Sequence, residues 1–77
     1  MNSLDKSSVL KKYGELYLLD DFLEVILKIV IVDGKEEKYL KWKGQKEKSV
    51  SIDNETACDI YIDNDSKQVS KSFYDNY

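Results

Sequence analysis

The chain contains no histidine, no arginine and no proline, and it has one cysteine in 77 residues. Each gap closes off a class of chemistry. Without histidine the usual general base at neutral pH and the commonest metal ligand are both missing. Without arginine there is no planar fork to grip a phosphate or carboxylate through two hydrogen bonds. Every cationic side chain is therefore a lysine, which together with the supply of Asn, Ile and Tyr fits an AT-rich coding sequence. That composition suggests a low-GC bacterium or one of its phages. A lone Cys58 cannot form an internal disulfide, so nothing requires an oxidising compartment.

Long apolar runs are also scarce. The longest, 22–32, is interrupted by Glu24 and Lys28 and falls well short of the ~20 residues that a membrane-spanning helix needs. The stretch Met1-Asn-Ser-Leu-Asp-Lys6 has neither the apolar core of a secretion signal nor a glycine at position 2 for acylation. The expectation is a cytoplasmic protein without a membrane partner. At this length residues 1–77 form one domain, which buries only about 60% of its unfolded surface. Such a core rarely supplies more than ~3–5 kcal/mol, leaving little to hold a strained active site.

What is present points to β-structure. Val25-Ile-Leu-Lys-Ile-Val-Ile-Val32 is rich in β-branched residues, which pack well on a pleated surface. Val25, Leu27, Ile29 and Ile31 fall on one face, and Ile26, Lys28, Val30 and Val32 on the other. Both faces are mostly apolar, the mark of a central strand covered on both sides. The pattern predicts that this strand begins at Phe22, after a turn at Asp20-Asp21. Asp33-Gly34 is a strong hairpin signal because both residues tolerate positive φ. The return strand Lys38-Tyr-Leu-Lys-Trp-Lys43 directs Leu40 and Trp42 inward and Tyr39, Lys41 and Lys43 outward.

On the N-terminal side, Ser3 is a suitable cap for a helix from Leu4 to Tyr13, with Lys11 and Lys12 in its last turn and Gly14 ending it. Val9, Leu10 and Tyr13 would form its buried stripe. Leu16 and Tyr17 continue the same spacing, but extending the helix to Leu19 would leave Gly14 in its interior at about 1 kcal/mol; a strand over Glu15–Leu19 is the preferred reading. Ser49–Ile52 and Cys58–Ile62 read as two more short strands, with Cys58, Ile60 and Ile62 facing in and Asp53-Asn-Glu55 between them. Val69, Phe73 and Tyr77 are spaced as a short helical stripe capped by Asp65 or Ser66, though a ragged edge strand or a partly ordered tail is equally compatible. The resulting fold class is α+β: an N-terminal helix packed on a small antiparallel sheet of four to five strands, the 22–43 hairpin central, with room for a short C-terminal helix.

Charge is segregated. Residues 33–48 hold six lysines and four carboxylates, whereas residues 49–66 hold Asp53, Glu55, Asp59, Asp63 and Asp65 and no lysine. Read as a strand, the second segment sets Asp59, Tyr61, Asp63 and Asp65 in a row at period two, with Asp53 and Glu55 leading into it. Such a row could imitate a nucleic-acid backbone and occupy a basic groove on another protein. It does not match a calcium loop, since Lys67 and Gln68 stand where an oxygen ligand and a glycine are required. No metal and no cofactor is expected. Six tyrosines are a generous allowance, and Phe73, Tyr74 and Tyr77 crowd the last five residues; aromatics of this kind are enriched at interfaces.

Cys58 lacks any histidine to activate it, and neighbouring Asp59 disfavours the thiolate. The expected function is accordingly non-enzymatic: a small acidic module, encoded by a phage or mobile element, that inhibits a host protein by binding it through the acidic face Asp53, Glu55, Asp59, Tyr61, Asp63 and Asp65, helped by the aromatic tail. The alternative is a nucleic-acid-binding module using Tyr39, Lys41 and Lys43, where bases stack on rings and phosphates meet cations. A net charge of −3 works against that alternative. A homo-oligomer that completes a sheet edge with its own copy fits the same residues.

Overall fold

A computed structural model describes residues 6–51, 53–62 and 65–77. The elements run α1 (Lys6–Tyr13), β1 (Glu15–Asp20), β2 (Val25–Val32), β3 (Lys35–Trp42), β4 (Lys48–Val50), α2 (Glu55–Ile62), β5 (Lys67–Gln68) and α3 (Lys71–Asp75). The five strands form one sheet in the order β4-β3-β2-β1-β5, with every pairing antiparallel. This is the α+β architecture expected from the sequence, with β2 at its centre.

The two faces of β2 separate as its alternation requires. Val25, Leu27 and Ile29 join Leu16, Leu18 and Leu40 on one face, where Leu10 of α1 and Ala57 and Ile60 of α2 close the main core. Ile26 joins Tyr17 and Leu19 on the opposite face, covered by Tyr74 of α3 and flanked by Val69 and Tyr77. A sheet with apolar residues on both faces must be covered twice. Here the chain covers the second face with its own C-terminal segment.

Local chemistry explains the connections. Gly14 adopts φ +72° and donates its amide to Leu10 O at 2.8 Å, ending α1 and fixing Glu15 onward as strand rather than helix. Asp33 and Gly34 both have positive φ (53° and 78°), giving the two-residue hairpin whose register pairs Val32 with Lys35.

Several details differ from the sequence reading; the strand expected at Ser49–Ile52 is Lys48–Val50, with Ile52 outside the described residues. The expected N-cap Ser3 and Leu4 lie outside the described residues, and Tyr13 is exposed, so the inward face of α1 is Leu10 with half-buried Val9. Residues Phe22–Glu24 are turn, not strand. The Asp20 carboxylate accepts from the amides of Phe22 (3.0 Å) and Leu23 (3.1 Å), and Glu24 takes φ +54°, so the ladder restarts only at Val25.

Cys58–Ile62 is not a strand either. Asn54 Oδ1 accepts from Ala57 N at 3.1 Å, starting α2, and the three-residue spacing of Ala57 and Ile60 supplies its buried face. Ile60 is inside as expected, Cys58 is half-buried, and Ile62 points out. Finally, the C-terminal segment is strand and then helix. Lys67–Gln68 and the Val69 amide pair with β1, so α3 starts after them, capped by Ser70 rather than by Asp65 or Ser66; Ser70 Oγ accepts from Phe73 N at 3.1 Å.

Candidate functional site

The acidic row does not survive as a row. Because α2 is a helix, Asp59 and Tyr61 leave it in different directions: Asp59 is exposed, while Tyr61 packs half-buried against the main core. Asp53 and Glu55 are exposed in the turn before α2 and in its first turn. Asp63 lies outside the described residues, and Asp65 stands apart from α2, next to the β1–β2 turn.

The aromatic tail divides. Tyr74 is 3% exposed and belongs to the second core. Phe73 is exposed and stacks on half-buried Tyr77, with ring centroids 5.7 Å apart.

The basic stripe is largely engaged within the fold. Tyr39 and Lys41 share the face expected for them, but both are half-buried. Lys41 Nζ donates to the carbonyls of Tyr74 (2.7 Å) and Asp75 (3.2 Å), satisfying backbone acceptors at the end of α3. Tyr39 donates its hydroxyl to Glu37 Oε1 at 3.0 Å, and Lys28 Nζ lies 5.0 Å from its ring centroid. Lys43 falls in the exposed turn after β3.

These lysines border a polar cluster that has no local signature in the sequence. Tyr74 Oη donates to Glu47 Oε1, and Lys28 Nζ lies 3.4 Å from the same oxygen. Lys28 and Lys41 stand 5.5 and 5.0 Å from the Tyr74 ring centroid, and Tyr17 packs against that ring at 5.1 Å. Together with Gln45, Lys46 and Asp75 the cluster lines a depression of about 560 Å³.

Its titration behaviour defines what it can do. Burial, with the Glu47 hydrogen bond and charge adding to it, pushes the Tyr74 phenol far above its ordinary value. The Tyr74 hydrogen bond, with Lys28 adding to it, holds the Glu47 carboxyl below its ordinary value. At neutral pH the phenol stays protonated and the carboxylate ionised, so neither is poised to exchange a proton with a substrate. The cluster acts as a latch that fastens the C-terminal segment to the sheet.

The remaining surface of interest is the β1–β2 turn. Phe22 is 92% exposed and Leu23 47%. The turn carrying them is pinned by the Asp20 carboxylate beneath and by Lys43 N, which donates to Glu24 O at 3.0 Å. On one side of Phe22 lies a cleft of about 530 Å³ lined by Asp20, Asp21, Leu23 and Asp65. On the other lies a shallower one of about 320 Å³ bordered by Glu24, Trp42, Lys43 and Gln45. Asp21 pairs with Lys67 at 3.0 Å, both side chains being exposed. Placing Phe22 in the strand hid this site; the signal that marks it is an aspartate two residues before it, able to hold a turn.

Among the described residues no group of three or more Cys, Asp or Glu side chains is arranged to hold a metal ion, and no helix is long and apolar enough to cross a membrane. Comparison with protein-family models, curated proteins and solved structures returned no match.

Proposed function

We propose that the protein is a small non-enzymatic module that acts by binding another protein, as an inhibitor encoded by a phage or mobile element that occupies a basic surface of a host protein. The observation that carries this reading is Phe22. The domain already has a two-sided apolar core, yet it leaves this ring 92% exposed on a turn held rigid by hydrogen bonds. A large aromatic held rigidly in water contributes nothing to folding and is well suited to anchoring a partner.

The titratable groups lend support. Among the described residues, the groups whose acidity departs from ordinary values are Glu47, Tyr17, Tyr39, Tyr74 and Tyr77, and each is displaced away from neutral pH rather than toward it. The nucleic-acid alternative draws less support, because the Lys41 ammonium is already bound to two carbonyls and Tyr39 is half-buried. The acidic contact surface is also relocated: with Cys58–Ile62 helical, the carboxylates that accompany an exposed aromatic are those at 20, 21, 24 and 65.

A tagged pull-down from lysate of a low-GC bacterium, with and without nuclease and read by mass spectrometry, tests the reading. A stoichiometric protein partner that survives nuclease is the expected outcome. A bound population that vanishes with nuclease would transfer the function to the nucleic-acid alternative.

A further inference from the structure

We infer that the cleft between Phe22 and Asp65 seats a basic chain segment of the partner, one that carries an apolar side chain flanked by lysines or arginines. This rests on the protein-binding reading and adds to it the site and the chemistry of what occupies it.

Two properties of the cleft meet in that occupant. Its apolar part is Phe22 and Leu23, which project at 92% and 47% exposure and offer a surface to an aliphatic or aromatic side chain. Its polar part is anionic: Asp20, Asp21 and Asp65 line the cleft, and Glu24 stands at the other flank of Phe22. Lys67 pairs with Asp21, and that pair is exposed and therefore readily exchanged for a partner's cation. The field of these carboxylates is felt nearby, since Glu24, Asp21 and Asp20 add to burial in raising the Tyr77 hydroxyl. An acidic segment would set like charge against those carboxylates, whereas a basic one meets them with opposite charge.

The backbone is also prepared for contact. Asp20 holds the Phe22 and Leu23 amides, and Lys43 N holds Glu24 O, so little loop entropy is lost when a partner arrives. β5 and β1 flank the cleft through the Leu19–Lys67 pairing, which keeps Asp65 close to the turn.

The experiment uses the full chain labelled with 15N and titrated with three short synthetic peptides: lysine–leucine, lysine–serine and glutamate–leucine. The lysine–leucine peptide should shift amides at residues 20–24 and 65 and bind at least ~10-fold more tightly than either of the others, as expected when apolar and charged contacts are both required. Phe22→Ser should weaken it at least ~10-fold while leaving the rest of the spectrum in place, because the ring contributes little to the core. Asp21→Lys should weaken it as well, whereas Glu36→Lys, the same charge change at an exposed position of β3, should not. Equal binding by the glutamate–leucine peptide, shifts confined to other surfaces, no binding, or an unchanged affinity in Phe22→Ser would each overturn the inference. The two readings fail separately: a protein captured equally by wild type and Phe22→Ser leaves the protein-binding function standing and removes this site.

Discussion

Replacing Tyr74 by phenylalanine isolates the latch. The ring that packs on Tyr17 and covers Ile26 stays, and only the hydroxyl that donates to Glu47 is lost. A hydrogen bond to an ionised acceptor contributes about 1.5–3 kcal/mol. The Glu47 side chain is 41% exposed, so water can serve it once the phenol is gone, and the expected loss falls to about 1–2 kcal/mol. In a domain of this size each kcal/mol moves Tm by about 4–8 °C, which puts Tyr74→Phe about 4–16 °C below wild type. Tyr74→Ala removes the ring too and costs about 3–5 kcal/mol, comparable with the whole stability available to such a core.

Urea titration measures the difference, and a cycle with Glu47→Gln apportions it. The two substitutions should cost less together than the sum of each alone, because they break the same contact. Acid supplies an independent check. The Glu47 carboxyl is held below its ordinary value of 4.5, so its contribution is complete above that pH and is lost as pH falls through the folded-state value. The gap between wild type and Tyr74→Phe should therefore narrow in acid. A Tyr74→Phe protein within about 0.5 kcal/mol of wild type at neutral pH would refute the argument, leaving ring packing as the whole of the attachment.

Two further outcomes follow from other parts of the fold. Asn54→Ala should lower stability by about 1 kcal/mol in urea titration and reduce the far-ultraviolet helical signal, since Asn54 caps α2; no change would restore the strand reading of 58–62. In alkali, burial, with Glu15 adding to it, pushes Tyr17 up to about 12, and Tyr74 lies higher still. A raised tyrosine contributes stability that is complete below its ordinary value of 10.0 and is lost as pH rises through the folded-state value. Unfolding free energy should hold until about pH 10 and then fall, with the phenolate absorbance of these two rings appearing last; all six tyrosines ionising together near 10 in the folded protein would contradict it.

The parts of the fold that were legible in the sequence are those in which local backbone chemistry and packing agree. Gly14 ends a helix and Asp33-Gly34 closes a hairpin because each needs positive φ, and the structure has it at all three positions. The alternation in 25–32 places residues correctly on two faces because β2 is covered on both. Residues 57–62 were harder, since two apolar patterns compete there. Cys58, Ile60 and Ile62 alternate as in a strand, while Ala57, Ile60 and Tyr61 lie together as on a helix. Only the cap at Asn54 and the buried seat for Ala57 decide between them, and that seat exists only once the sheet is assembled.

Of the candidate site, Tyr39 and Lys41 were placed on the right face but were taken to be available to a ligand. Period-two reasoning assigns a residue to a face and cannot tell what covers that face. Here the cover comes from Tyr74 and Asp75, more than thirty positions away, so the stripe that looked outward ends as part of the latch. The converse holds at Phe22. An apolar residue beside a β-branched run is ordinarily assigned to the run, but Asp20 intercepts the two amides the ladder would have used and turns the ring into solvent. One carboxylate thus decides whether Phe22 is buried or exposed, which is why the most exposed aromatic of the chain has the sequence context of a buried one.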